Sequence, residues 1–218
     1  TAAAKGCEQV IKEFRVTVRD SSAGGLYLEE SGEVVMNAAD ALLECAYSWT
    51  EVTAPNVWEA TDDDLGVKVL PDVNKQWSNT NDLSEAPSIS FKIKIATKGT
   101  YYLFTNMSNP NDNADSYHVL VDGTYRYTHN NGNMAGNMIW RSAGNGVELS
   151  VGEHTITIAA REDGLTINQL CLTTDKNKSM KDGVLEVPSA KESGTGTVTK
   201  PTAPPVIEPT AQPTAKPT

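Results

Sequence analysis

Several things are scarce in this sequence, and each scarcity excludes a class of protein. There are three cysteines, Cys7, Cys45 and Cys171, in 218 residues. None stands in a C-x-x-C pair, which argues against a thiolate zinc site. Cys45 and Cys171 both sit in apolar stretches, so they read either as small core residues or as a disulfide pair. No apolar run approaches the roughly 18–20 residues that a membrane-spanning helix needs. Positive charge is in the minority, with 18 Lys and Arg against 28 Asp and Glu, a net charge of -10. Such a surface repels phosphate backbones and anionic membranes, so nucleic acid is not an expected partner and no membrane insertion is expected. The opening Thr1-Ala2-Ala3-Ala4-Lys5 has neither an initiator Met nor an apolar signal core, and is expected to be internal to a longer protein. No stretch of twelve residues carries helical periodicity; only Asn37 to Ala46 passes for a short helix.

Catalytic signatures are missing as well. There is no Gly-x-Ser-x-Gly elbow, no phosphate-binding loop and no His-Glu-x-x-His. His118 and His154 fall inside expected strands and read as structural. Asp62-Asp63-Asp64 is the densest carboxylate cluster and reads as a solvated loop before the Leu65 strand, with a metal-binding role as the alternative. Nothing marks a pair of carboxylates facing each other across a sugar cleft. No catalytic residues are assigned, and the chain is not expected to be an enzyme by itself.

What is present is strand after strand. Ile89, Phe91, Ile93 and Ile95 alternate with Ser90, Lys92 and Lys94, which gives one buried and one wet face. Lys98-Gly99 turns the chain into Thr100–Phe104. Tyr117–Val121 ends at Asp122-Gly123, a strong hairpin signal, and Tyr125–Tyr127 returns. His154–Ile158 and Leu165–Leu172 close the series. Short strands at this spacing predict an all-β fold, an antiparallel β-sandwich.

Three regions follow from the shifts in composition. Residues 1–24 hold one alternating run, Phe14, Val16 and Val18, and then Ser21-Ser22-Ala23-Gly24. The run reads either as the last strand of a preceding immunoglobulin-like domain or as an extra edge strand of the main domain. Residues 25–175 form the sandwich. Residues 176–218 read as a charged and then Pro/Thr-rich linker, because small polar residues and proline build no core.

The stretch Gly32–Thr173 resembles the galactose-binding-like, jelly-roll β-sandwich family. Within it, the chain is similar to carbohydrate-binding families 6 and 35 and to the C-terminal domain of family 115 glycoside hydrolases. The residues that carry the resemblance are Val34–Asp40 as the opening strand and Lys98–Leu103 as the "G-T-Y" strand. Tyr117–Gly123 match the "v-x-v-D-G" hairpin, while Leu149–Ile158 and Gly164–Leu172 match the last two strands. The resemblance implies a non-catalytic carbohydrate-binding module of a secreted or cell-surface glycan-degrading enzyme. Such a module would be a monomer whose partners are a glycan and the neighbouring domains of its own chain. It also implies a structural calcium, but the matching positions, Asn37, Ala39 and Asn168, lack carboxylates, so calcium is disfavoured and no cofactor is assigned. The alternative is a structural spacer or protein-interaction sandwich without a glycan ligand.

Sugar binding needs a flat aromatic face and planar polar groups that chelate hydroxyls. The polar connections supply Trp77, Asn106, Tyr125, Arg126, Tyr127, Asn130 and Asp163 as ligand-binding candidates. Trp140 stands between a core and a site role. Trp77 is the expected exposed indole, and Trp49 and Trp58 are expected core. By strand periodicity Tyr125 and Tyr127 share a face, with Arg126 pointing away.

Overall fold

A computed structural model describes residues 25–44, 57–61, 66–78, 80 and 83–192. The expectations for residues 1–24, for Cys45, Trp49 and Asp62–Asp64, and for the tail beyond 192 lie outside these residues.

Among the described residues, thirteen strands form two sheets. The first sheet contains β1 (Leu26–Leu28), β3 (Leu42–Glu44), β6 (Ser88–Ile95), β8 (Ser116–Val121), β9 (Thr124–Asn130), β11 (Gly152–Ala160) and β13 (Lys191–Glu192). Its order is β13-β1-β6-β11-β8-β9, with β3 also paired to β6. The second sheet contains β2 (Glu33–Asn37), β4 (Val57–Ala60), β5 (Val67–Leu70), β7 (Gly99–Ser108), β10 (Ile139–Leu149) and β12 (Thr166–Thr173). Its order is β10-β7-β12-β5-β4, with β2 also paired to β12. Among the described residues, every pairing is antiparallel except β1 with β6. The antiparallel β-sandwich is therefore the observed fold. In place of the expected helix, Ala38–Asp40 makes one 3-10 turn and the chain re-enters a strand at Leu42.

The core lies between the sheets and comes from the alternating positions. Ile89, Phe91, Ile93 and Ile95 face Leu103, Met107, Leu170 and Leu172 across one apolar cluster. Trp58 belongs to it, as expected. The Asp122-Gly123 hairpin forms as its sequence demands. Val121 pairs with Thr124, and both turn residues have positive φ, 51° and 72°.

The expected linker is, through Glu192, a packed strap across the outer face of the second sheet. Val35, Phe104, Trp140 and Cys171 form an apolar cluster there, against which Tyr102 and Met180 pack. Trp140 Nε1 donates to the Val184 carbonyl at 2.9 Å. Gln169 Nε2 donates to the Glu186 carbonyl, and the Glu186 N–H donates back to Gln169 Oε1, both at 2.8 Å. Ser189 bonds both backbone groups of Val35. Lys191 then reaches Asp40 at 2.8 Å, and β13 extends the first sheet. The packed region therefore extends past the boundary expected at 175, through Glu192. The strap carries few apolar residues of its own, and instead covers those of the sheet while pairing its backbone with Trp140, Gln169 and Val35. Cys171 lies in this cluster, fully buried, and burial pushes its thiol up to about 12. It has no disulfide partner among the described residues.

Candidate functional site

The polar connections do converge at one end of the sandwich, but they bind one another there. The Trp77 N–H donates to the Arg161 carbonyl at 2.8 Å, and the Asp163 N–H to the Lys75 carbonyl at 3.2 Å. The Met134 N–H donates to Asn109 Oδ1 at 2.7 Å, and the Asn131 N–H to the Asp115 carbonyl at 3.1 Å. Glu162 is buried at the centre. Ser116 Oγ donates to its Oε2 at 2.6 Å and Arg161 to its Oε1 at 2.8 Å. Beside it, burial pushes the Asp115 carboxyl up to about 6, helped by the hydrogen bond and negative charge of Glu162.

Four of the eight candidates are taken inward. Trp77 is 3% exposed and joins the main core, with the Lys75 ammonium 5.0 Å from its ring centroid. Its exposure was expected from a segment without apolar periodicity, but one indole in an irregular loop can plug a sandwich end without any repeat. Asn106 is 0% exposed, because β7 continues to Ser108 and pairs Asn106 with Trp140. Trp140 lies inside β10, beneath the strap, which settles its balance in favour of packing. Asp163 is 0% exposed, and its Oδ2 accepts the Val73 and Lys75 N–H groups at 2.9 and 3.1 Å. These buried positions leave no face for a ligand.

Four candidates stay outside or half outside. Asn130 is exposed at the end of β9, where its Oδ1 accepts the Gly132 N–H at 3.3 Å. Tyr125, Arg126 and Tyr127 do not alternate as expected. Val119 pairs with Tyr127 and Leu120 with Tyr125, so Arg126 is an extra residue in a β-bulge. Tyr125 turns to the outer face of its sheet, 37% exposed, with its ring edge-on to His118. Tyr127 packs half-buried against the main core.

The bulge puts Arg126 and Tyr127 on a shared surface. Strands β9 and β10 are edges of different sheets, and an open trough of about 500 Å³ runs along them. Arg126, Tyr127, Asn145, Gly146, Val147 and Glu148 line it. β10 has its own irregularity between Ser142 and Gly146, which turns Asn145 out of the ladder. Gly146 fits this point closely, since a Cβ there would press into the Thr100 and Tyr102 side chains and force them to shift. Asn145 and Glu148 were missed in the sequence; the only signal was Gly144-Asn145-Gly146 interrupting a strand pattern. A second depression, of about 420 Å³, lies on the first sheet between Ser90, Leu120, Asp122, Thr155 and Thr157.

Ser150, His154 and Asp122 have the outline of a hydrolytic triad, but their hydrogen bonds rule out that role. His154 Nδ1 lies 2.7 Å from Asp122 Oδ2. Its Nε2 is closer to the Ser150 carbonyl, at 2.9 Å, than to the Ser150 hydroxyl, at 3.3 Å. A carbonyl only accepts, so Nε2 carries a proton and is no general base for the serine. The other histidines are structural too. His118 is held by Thr128 and the Trp77 carbonyl. His129 meets the Tyr117 hydroxyl at 2.7 Å, and burial, with Arg141 nearby, lowers its pKa to about 4.

The calcium positions do not fit a tight ion. Asn37 Oδ1 already accepts from Gln169 Nε2 at 3.0 Å, and neither Asn37 nor Asn168 brings charge.

No protein-family model matches this chain, and no curated protein matches it. Solved structures do. A family 35 carbohydrate-binding module from Clostridium thermocellum aligns at 16% identity with a TM-score of 0.46, over 66% of this chain and 100% of that one. A carbohydrate-binding module of Cellvibrio mixtus lichenase 5A, solved with cellotriose, aligns at 17% identity with a TM-score of 0.44, over 65% and 97%. A family 36 domain of a multidomain xylanase, from the hindgut metagenome of Trinervitermes trinervoides, aligns at 14% identity with a TM-score of 0.46, over 66% and 98%. These solved neighbours are carbohydrate-binding modules of families 35, 6 and 36, while the sandwich fold itself rests on the strand pairing described above.

Proposed function

We propose that this chain is a non-catalytic glycan-binding module of a secreted, multi-domain glycan-degrading enzyme. It would act as a monomer that holds neighbouring domains of the same chain near their polymer. The observation that carries the reading is the β9–β10 trough. It combines the Tyr127 ring, the Arg126 guanidinium, the Asn145 amide and the Glu148 carboxylate along one open depression. A pyranose offers an apolar C–H face to a ring and pairs of hydroxyls to planar donors and acceptors, and these side chains are of that kind. Weak binding at one site suffices where the site is tethered to an enzyme, because linkage supplies effective concentration.

The test is a glycan array with the 218-residue chain, followed by titration calorimetry with the best ligand. Arg126→Ala and Asn145→Ala are exposed substitutions and are expected to weaken binding at least about tenfold, roughly 1.4 kcal/mol. Unchanged affinity in both would move the ligand to the 420 Å³ depression of the first sheet. A ligand-free spacer is the second reading, favoured by the burial of Trp77, Asn106, Trp140 and Asp163. An array with no binder supports it.

A further inference from the structure

The sequence contains two Asn-x-Ser triplets, Asn106-Met107-Ser108 and Asn177-Lys178-Ser179. This triplet, with no proline in the middle, is the acceptor pattern for N-linked sugar, and it functions only on an accessible surface segment. The structure separates the two. Asn106 is buried inside β7, between β10 and β12. Once the chain has folded, no transferase reaches its amide.

Asn177 is the reverse case. It is exposed, as is Ser179, in the turn where β12 gives way to the strap. Asp175 builds this turn: its Oδ1 accepts the Asn177 N–H at 2.9 Å and its carbonyl accepts the Lys178 N–H at 3.2 Å. Lys178 anchors the following residue to β2 through Glu33 at 2.8 Å. The asparagine is thus displayed on a defined turn, between two ordered attachments. Asp175 also gives the segment the form Asp-x-Asn-x-Ser, an acidic residue two places before the acceptor.

We propose that Asn177 is an acceptor for an N-linked oligosaccharide, donated from a polyprenyl-pyrophosphate carrier by an oligosaccharyltransferase. Asn177 Nδ2 attacks the anomeric carbon of the donor. The C1–N bond forms as the C1–O bond to pyrophosphate breaks. The amide gives up one proton to the transferase, and polyprenyl pyrophosphate leaves. No oxidant or reductant takes part. The glycan would cover the start of the strap.

The experiment exports the 218-residue chain to a bacterial periplasm that holds such a transferase and its lipid-linked oligosaccharide, together with an unrelated acceptor protein as control. Intact mass and glycopeptide mapping are the readouts. The expected result is one oligosaccharide per chain, mapped to Asn177, with Asn106 unmodified. The mass increment disappears in Asn177→Gln, Ser179→Ala and Asp175→Ala. An unmodified Asn177 beside a modified control overturns the proposal. So does an increment that persists in Asn177→Gln.

Discussion

Tyr125 and Tyr127 stand two residues apart in β9 and face opposite sides of their sheet, because Arg126 is bulged out between them. Tyr125 meets His118 and Thr128 on the outer face, while Tyr127 packs against the core and lines the trough. Truncation should therefore affect the two unequally. Tyr127→Ala removes a core contact and is expected to cost about 3 kcal/mol. Tyr125→Ala, at the surface, is expected to cost about 1 kcal/mol or less. Urea unfolding of both variants checks this, and equal losses would contradict the bulge.

The pair His154 and Asp122 predicts a pH dependence. Burial opposes the charged imidazole, but the bonds from Asp122 and the Ser150 carbonyl outweigh it and raise the His154 pKa above its ordinary 6.5. The folded state thus holds this proton more tightly than the unfolded chain. The resulting stabilisation is complete below pH 6.5 and is lost as pH rises through the folded pKa. The Asp122 carboxyl is lowered despite its own desolvation, so its share is lost as pH falls below its ordinary 3.8. Asp122→Asn is expected to flatten the fall in Tm between about pH 6.5 and 8. Thermal melts of parent and variant across that range decide it.

The sandwich was legible in the sequence because its signal is local. Alternation in Ile89–Ile95 and the Asp122-Gly123 turn each specify their own geometry. The site was less legible, for two physical reasons. A bulge reverses the facing of every later residue in a strand, and Arg126 carries no mark of one. Burial of a polar side chain also depends on partners far along the chain. Asp163 reads as a loop carboxylate until Val73 and Lys75, some 90 residues earlier, bring it their N–H groups. The strap failed as a linker expectation for the same reason, since its partners Val35, Trp140 and Gln169 are distant in sequence.

Because the strap roofs Phe104, Trp140 and Cys171, protease resistance is expected to extend beyond 175 and to include the strap through Glu192. Limited proteolysis with mass mapping checks the boundary. Cleavage between 176 and 190 as fast as in the Pro/Thr tail would contradict it. Trp140→Ala, which also removes the bond to Val184, is expected to cost about 3–5 kcal/mol.

Metal removal is expected to have little effect. With Asn37 held by Gln169 and no carboxylate at Asn37, Ala39 or Asn168, a chelator should lower Tm by less than about 5 °C, on the order of 1 kcal/mol. A larger drop in a thermal melt would mean that backbone oxygens complete a tight site after all.

The last prediction concerns the joined loops. Asp115 and Glu162 lie together at the end of the sandwich, and Asp112 adds further negative charge. Arg161 is bonded to Glu162 and offsets one charge. The Asp115 pKa of about 6 lies above its ordinary 3.8, so the folded state favours its proton. The stabilisation is complete below that ordinary value and is lost as pH rises through about 6. At higher pH two carboxylates must share a buried corner. Asp115→Asn supplies a permanent donor where the proton sits. It is expected to raise stability at pH 8 by about 1 kcal/mol after solvent screening, and to change it little at pH 4. Urea unfolding at both pH values tests this. A variant less stable than the parent at pH 8 would show that the ionised carboxylate is favoured there, against the crowding of Asp115 with Glu162.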